Sequence, residues 1–146
     1  MAFMVNVDDL KLKTIEFFDK FWHGKDSYPS WSEPWFFKGE LPHNESKGCY
    51  AHILNNEITY VGLGIGKSYG GSGLGSRIKS YWRFTGNKEG SLRIYEPTVK
   101  DVDSIITIPF NKDDFYLAAA LEVYLIQNLD LKKNRTHSNK KKYSNQ

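Results

Sequence analysis

Two tyrosine-containing tripeptides face each other across a short turn in this chain. Residues 48–50 read Gly-Cys-Tyr and residues 60–62 read Tyr-Val-Gly. Residues 50–54 and 58–63 have the composition of strands, and the Asn-Asn-Glu stretch at 55–57 contains asparagines, which tolerate the left-handed backbone of tight turns. This region is therefore predicted to fold as a β-hairpin that carries one tyrosine on each strand.

The length of the turn decides whether the two tyrosines can act together. Directly opposed residues of an antiparallel hairpin share a face, and a slip of one residue reverses every side chain. A two-residue turn would put Tyr50 and Tyr60 on opposite faces. A three-residue turn pairs His52 with Tyr60 and brings both tyrosines to one side. A joint site therefore requires this odd register or a β-bulge.

A second pair of polar residues follows on a predicted helix that begins near residues 72–74 and ends near residue 84. Arg77 and Tyr81 are four positions apart, so they lie one turn apart on the same helical face. On position alone, Arg77 fits an exposed surface arginine better than a functional one.

Glu122 interrupts the apolar side of a third predicted helix, for which Asn111 is the expected N-cap. At about 100° per residue it falls near the middle of the apolar arc. A carboxylate in such a position is costly to bury unless it pairs with a cation, such as Arg77, or binds a metal. The arc contains Phe115, Ala118, Ala119, Leu125, Ile126 and Leu129.

In this order, these residues resemble the GIY-YIG nucleases. The two tripeptides correspond to the name of the family, and Arg77 with Tyr81 resembles its arginine followed one turn later by histidine or tyrosine. Glu122 resembles the family's metal-binding glutamate, and Asn134, twelve positions later, its closing asparagine. The resemblance covers about residues 47–134. It implies a small α/β (α+β) domain with a three-stranded mixed or antiparallel sheet flanked by helices.

The chain departs from the family pattern at three places. The stretch at 64–75 is longer and richer in glycine than the usual link to the arginine helix. Many members carry a lysine directly after the second tripeptide, where this chain has Leu63, and Lys67 is the candidate replacement. The proline that often precedes the closing asparagine is also missing, because residues 131–133 read Leu-Lys-Lys.

The resemblance implies metal-dependent hydrolysis of a DNA phosphodiester. In that scheme Tyr50 hydrogen-bonds or deprotonates the attacking water, and Arg77 neutralises charge on the phosphate oxygens. Glu122 holds Mg²⁺ or Mn²⁺. His52 competes for the role of base, since the usual pKa of histidine, near ~6.5, suits proton transfer better than that of tyrosine. Supporting roles fall to Tyr60 and Tyr81, which orient water or phosphate, and to Asn134, which braces the site.

Two other interpretations stay open beside the nuclease. The first is a nucleic-acid-binding module without turnover, and the second is one nuclease subunit of a larger repair or recombination assembly. If the chain is a restriction-type enzyme, cutting both strands favours a homodimer. The aromatic segment at 31–37 is the candidate for the dimer contact or for wrapping DNA. The same aromatics alternatively cover the N-terminal helix.

Charge and composition indicate the cellular compartment and the kind of partner. The chain has 146 residues, a formal net charge of +3 and one cysteine, Cys49, which is expected to be buried and excludes an internal disulfide. No apolar run approaches the ~20 residues of a membrane span, so we expect a soluble cytoplasmic protein without a membrane partner. The predicted DNA-binding residues are Lys67, Lys79, Lys132, Lys133, Arg135, Lys140, Lys141 and Lys142.

The basic run between residues 132 and 142 fits either a phosphate-binding segment or a solvated tail. The expected organisation is an N-terminal helix and aromatic arm at 1–46, a nuclease-like core at 47–134 and a basic, disordered tail at 135–146. Asp8 or Asp9 is expected to cap the first helix, whose buried stripe would be Ile15, Phe18 and Trp22.

Overall fold

The computed structural model describes most of the chain. The described residues are 4–23, 27–68, 71–79, 82–84, 92–94 and 101–134. Tyr81, Arg135, Lys140, Lys141 and Lys142 lie outside these ranges, as does the tail at 135–146. Within them, no helix combines the length and the apolar character needed to cross a membrane.

Three strands form the central sheet in the order β2-β1-β7, and both pairs are antiparallel. This confirms the prediction of a three-stranded sheet with flanking helices and selects the antiparallel form. The helices are α1 (Val7–Phe21), α2 (Gly73–Lys79) and α3 (Tyr116–Asn128), and the sheet strands are β1 (Lys47–Leu54), β2 (Glu57–Gly64) and β7 (Ser104–Phe110). Two small hairpins pair β3 (Lys67–Ser68) with β4 (Gly71–Ser72), and β5 (Trp82–Phe84) with β6 (Leu92–Ile94).

The β1–β2 hairpin has a two-residue turn. Asn55 and Asn56 both have positive φ, 49° and 66°, as the tight turn of a twisted hairpin requires. Glu57 belongs to β2 and pairs with Leu54, so β2 begins one residue earlier than expected and the turn is the two-residue alternative. The register then shifts, because Ile53 pairs with Ile58 but His52 pairs with Tyr60.

Thr59 is the extra residue of the resulting β-bulge. A two-residue turn without the bulge would send the tyrosines to opposite faces. With the bulge, Tyr50 pairs with Gly62 and His52 pairs with Tyr60, so both tyrosines lie on one face. The odd register required for a joint site is therefore present, produced by a bulge rather than by turn length.

β1 is buried on both sides and separates two layers of core. On one side, Cys49, Ala51 and Ile53 pack with α1 and α3; we call this the helical face. On the other side, Tyr50 packs with α2 and part of the aromatic arm. We call this the tyrosine face, and its members on β1 and β2 are Gly48, Tyr50, His52, Tyr60, Gly62 and Gly64.

The first helix begins two or three residues earlier than expected. Asn6 is the N-cap, and its side chain accepts from the Asp9 N–H at 2.8 Å while the Asp9 carboxylate accepts from the Asn6 N–H at 2.9 Å. This reciprocal pair is a capping box, so Asp9 serves as its third residue and neither Asp8 nor Asp9 is the cap.

The buried stripe of α1 is also displaced from the expected one. Phe18 is buried as predicted, but Ile15 is 42% exposed and Trp22 lies at the C-cap. The difference is a rotation of the helix by about one residue, which the amphipathic pattern alone does not fix. The buried residues are Leu10, Thr14, Phe17 and Phe18.

The aromatic arm covers the free edge of β7. Trp35 exchanges two backbone hydrogen bonds with Ile105, at 2.8 and 3.0 Å. Trp31 is buried, and its indole N–H donates to the Thr14 hydroxyl at 2.9 Å. Both tryptophans therefore belong to the core of this chain and are not available for the expected dimer contact or DNA wrapping. Phe36, 65% exposed, is the outward-facing member.

The opposite edge of the sheet, β2, is covered by the segment that follows α3. The Lys133 N–H donates to the Thr59 carbonyl at 2.9 Å. The Asn134 side chain accepts from the Val61 N–H at 2.8 Å and donates to the Val61 carbonyl at 2.9 Å. The free backbone groups of an edge strand invite pairing with another chain, and at Thr59 and Val61 these groups are satisfied internally.

Two other helices differ from expectation. The structure assigns helix only to Gly73–Lys79 in the second helical segment, and Trp82–Phe84 is a strand instead of a helical end. The third helix begins at Tyr116, because residues 111–115 form a turn closed by a hydrogen bond from the Asp114 N–H to the Asn111 carbonyl at 2.9 Å. Asn111 is therefore not its N-cap. The strands expected near 91–95 and 105–110 are confirmed as β6 and β7.

Gly62 lies directly beneath the aromatic ring of Tyr50. A Cβ at this position would collide with the ring and hydroxyl of Tyr50, whereas a Cβ on Gly66 would meet no atom within 4 Å. We expect Gly62→Ala to lower the free energy of unfolding by about 1–3 kcal/mol, because Tyr50 is fully buried and has no room to retreat. Gly66→Ala, the matched control, should change it by less than about 0.5 kcal/mol.

Urea unfolding of both variants measures the difference. Equal stability of the two variants would contradict the close packing of Tyr50 on Gly62.

Candidate functional site

Three aromatic rings form a cluster on the tyrosine face. The centroid of His52 lies 5.5 Å from that of Tyr50 and 4.9 Å from that of Tyr60, and the two tyrosine centroids are 6.2 Å apart. His52 and Tyr60 are stacked, with an interplanar angle of 28°. The bulge at Thr59 makes this contact possible, because it places Tyr60 opposite His52.

The three rings differ in their access to solvent. Tyr50 has no exposed surface and His52 is 2% exposed, whereas Tyr60 is partly exposed. A reactant in solution therefore meets the hydroxyl-bearing ring of Tyr60 first. Tyr50 lies behind it, held between Gly62 and the core residues of α2.

Two cationic side chains flank this cluster. Arg77 is exposed on α2, which packs on β1 and β2. Lys133 is partly exposed on the segment that covers the edge of β2. Both positive charges act on the His52 imidazole and disfavour its protonation. The tyrosine face thus presents an aromatic patch with positive charge from two elements, an arrangement suited to an anion such as a phosphate group.

His52 has a strongly lowered pKa. Burial is the main cause, followed by the charges of Lys133 and Arg77, and together they lower the pKa to about 3. The expectation of a pKa near the usual value is therefore wrong. At neutral pH the ring is neutral and a weak base, which argues against His52 as the general base of the site.

Glu122 approaches the sheet from the other side. Its neighbours on α3, Ala118, Leu121, Leu125 and Ile126, are buried in the core of the helical face, yet Glu122 itself is partly exposed. The thiol of Cys49 lies next to it: burial first, and then the charge of Glu122, raise the pKa of Cys49 well above its usual value. The structure brings Tyr50, Tyr60 and Arg77 to one face, and Glu122 lies across β1 from them.

A hard divalent cation is the metal that the sequence resemblance implies. Within the described ranges, no group of three or more His, Cys, Asp or Glu side chains is positioned to hold a metal ion. Mg²⁺ retains several waters and often binds through one or two carboxylates together with substrate phosphates. Glu122, a partly exposed carboxylate in the middle of an apolar stripe, fits such a single-carboxylate site, with the remaining ligands coming from water and phosphate.

Asn134 braces the second tripeptide directly. Its side-chain amide pairs with both backbone groups of Val61, the central residue of Tyr-Val-Gly. The Asn134 side chain is buried, so it occupies the place that a further strand would take beside β2.

The predicted DNA-binding lysines have different surroundings. Lys132 is engaged by Glu57, with its Nζ 3.0 Å from the Glu57 carboxylate. Lys133 lies near His52 at the candidate site, which the sequence did not predict. The sequence indicates this location only through the position of Lys133 directly before Asn134, whose side chain is fixed to Val61. Lys67 and Lys79 are located only as backbone positions in β3 and α2. Tyr81, Arg135, Lys140, Lys141 and Lys142 lie outside the described residues.

The chain was compared with protein-family models, with curated proteins and with solved structures. None of the three comparisons found a match.

The buried, neutral His52 should make the protein less stable in mild acid. The pKa in the folded chain, about 3, lies below that of an unfolded histidine, about 6.5. Between these values the unfolded chain binds the proton and the folded chain does not, so stability falls as the pH falls. The expected contribution is about 1.4 kcal/mol per pH unit, with full stability retained above pH ~6.5.

The measurement is urea unfolding of wild type and His52→Gln between pH 4 and pH 7. The variant has no group titrating at this position, so its stability should depend less steeply on pH. His23→Gln, an exposed histidine near the end of α1, is the matched control and should retain the wild-type slope. Equal slopes for wild type and His52→Gln would show that His52 is not held neutral.

Proposed function

We propose that this protein is a GIY-YIG-like DNA endonuclease that hydrolyses phosphodiester bonds with Mg²⁺ or Mn²⁺. The observation that carries the proposal is the bulge-determined register of β1 and β2. It puts both tyrosines on one face of an antiparallel hairpin, next to the α2 helix that carries Arg77. Asn134, at its expected distance in sequence, supports the proposal because it braces Val61.

The exposure of the rings suggests how the tyrosines divide the work. Tyr60 is partly exposed, so its hydroxyl is the one that orients the attacking water. Tyr50 is fully buried, so it supports Tyr60 and His52 from behind. Arg77 and Lys133 hold the phosphate and offset the negative charge that grows on its oxygens during attack.

Glu122 is the proposed metal ligand. When bound, the metal supplies Lewis-acid stabilisation of the leaving oxygen. The partly exposed carboxylate stays ionised next to apolar neighbours only if a cation or solvent compensates its charge.

DNA is the proposed partner, and cleavage of both strands calls for two active sites. A two-fold homodimer is the simplest way to present them to antiparallel strands. Trp31 and Trp35 are buried in the chain's own core, so a dimer contact has to use other residues.

A second candidate function is a nucleic-acid-binding module without turnover. It is favoured by the burial of Tyr50 and by the position of α3 on the helical face. In that case the cationic tyrosine face binds the DNA backbone and Glu122 has no catalytic role.

Cleavage of supercoiled plasmid separates the two functions. We expect nicking or cutting with Mg²⁺ or Mn²⁺ and none in chelator. Arg77→Ala and Glu122→Ala should each reduce the rate by about 10²-fold or more, the usual effect of losing one group that stabilises transition-state charge. Glu33→Ala, an exposed carboxylate on the aromatic arm, is the matched control and should leave the rate unchanged.

DNA binding by wild type without cleavage under any metal condition would establish the binding module instead. If the cleavage activity co-purifies with the protein and survives Glu122→Ala, Glu122 has no catalytic role.

The two tyrosines can be distinguished in the same assay. Tyr60→Phe should lower the turnover rate by about 10²-fold, because it removes the hydroxyl that meets water. Tyr50→Phe keeps the buried ring and should lower it by less than about tenfold. A larger effect of Tyr50→Phe would mean that the buried hydroxyl, exposed by a rearrangement on DNA binding, acts on the water.

A further inference from the structure

A cleft of ≈ 310 Å³ lies beside the outer edge of the sheet. It is bounded by the end of α1, the turn at 43–46 and the end of β7. Its volume is at the lower end of the range of small-molecule sites, ~300–1,000 Å³, and is suited to a ligand of one or two rings. The described lining residues are Trp22, Ser27, Pro29, His43, Ser46, Pro109, Phe110 and Asn111.

The chemistry of the lining is aromatic and polar but uncharged. Trp22 and Phe110 are aromatic, and two prolines add flat apolar surface. Ser46 and Asn111 add hydrogen-bonding groups. Among the lining residues that the structure describes, none carries a formal charge at neutral pH. These described side chains offer no counter-charge to a phosphate or carboxylate, and they offer stacking surfaces and hydrogen-bond partners to a neutral planar heterocycle.

The hydrogen bonds around His43 determine its tautomer. The Thr107 hydroxyl donates to the Pro42 carbonyl at 2.9 Å, which uses its one proton. His43 Nδ1, 2.9 Å from the same hydroxyl, must then donate its proton to Thr107. Burial lowers the pKa of His43, so the ring is neutral at pH 7. Nε2 is consequently the acceptor atom of the ring.

The backbone of His43 is held in an unusual conformation. Its φ is 59°, in the left-handed region that few residues other than glycine adopt. The Ser46 N–H donates to the His43 carbonyl at 3.0 Å and closes the turn. Backbone strain of this kind is often found where a side chain must be presented in one direction.

The cleft is connected to the tyrosine face through Thr107. Thr107 pairs with Tyr50 across β1 and β7, and its hydroxyl bonds to His43. Adjacent strands lie about 4.8 Å apart. Thr107, buried between them, therefore links the cleft to Tyr50, the innermost ring of the tyrosine cluster.

We propose that this cleft binds one unstacked nucleobase of the nucleic acid. The base lies against Trp22 and Phe110, and one of its N–H groups donates to Nε2 of His43. Asn111 pairs with a further polar atom on the edge of the base. The inference rests on the proposed function for its choice of ligand, but base binding does not require that the chain cleave DNA.

The test uses the whole protein and two probes that divide a nucleotide into its parts. Deoxyadenosine carries the base without phosphate, and deoxyribose 5-phosphate carries phosphate without a base. Each is titrated into isotope-labelled protein, and the NMR resonances of the His43 ring and the Trp22 indole are followed. The variants are His43→Ala and Asn111→Ala, with the exposed His23→Ala as the matched control.

We expect deoxyadenosine, but not deoxyribose 5-phosphate, to shift the His43 and Trp22 resonances. His43→Ala and Asn111→Ala should each weaken the affinity about fivefold, the effect of one neutral hydrogen bond, whereas His23→Ala should not. Asn111 is exposed, so its variant tests the cleft even if His43→Ala fails to fold.

Shifts caused by deoxyribose 5-phosphate alone would overturn the proposal in favour of phosphate binding. So would deoxyadenosine binding that neither variant weakens, or no shift at all up to millimolar concentrations. None of these readouts requires cleavage, so a negative plasmid assay does not contradict base binding in the cleft. In the same way, absence of base binding does not contradict the nuclease proposal, which the plasmid assay tests.

Discussion

The β-bulge at Thr59 is the constraint on which both faces of the molecule depend. Ile58 and Val61 both pack in the core of the helical face, although residues three apart in a regular strand point to opposite sides. One extra residue between them reconciles the pattern, and it turns Tyr60 towards Tyr50 and His52. The same insertion therefore completes the apolar core under α1 and α3 and assembles the aromatic cluster on the other side.

A sheet of only three strands has two edges close to every residue, and the chain covers both with its own segments. Trp35 pairs with β7, and residues 133 and 134 pair with β2. These segments also shape the candidate sites. The covering of β2 carries Lys133 to the aromatic cluster, and β7 supplies Thr107, which orients His43. At β2, edge protection and the chemistry of the surface are therefore provided by the same segment.

The elements of the fold were largely predictable, because alternation in the hairpin and the apolar arc of α3 are local patterns. Their relative placement was not. Turn length and bulge together set the register. The sequence does not distinguish a three-residue turn from a two-residue turn followed by a bulge, because both give the same pairing of His52 with Tyr60. Helical periodicity predicted that Glu122 faces the core, but it contains no information about which side of the sheet α3 covers. The pKa of His52 depends on burial and on Arg77 and Lys133, which are distant in sequence.

The side chain of Asn134 ends the sheet where another strand would otherwise add. It also fixes the backbone of Asn134 beside Val61, one residue after Lys133. The covalent link to Asn134 therefore tethers the next residue near the edge of β2, whatever its own affinity for that surface. Six basic residues lie between positions 132 and 142, so under the proposed function this anchor would concentrate positive charge near the bound phosphates.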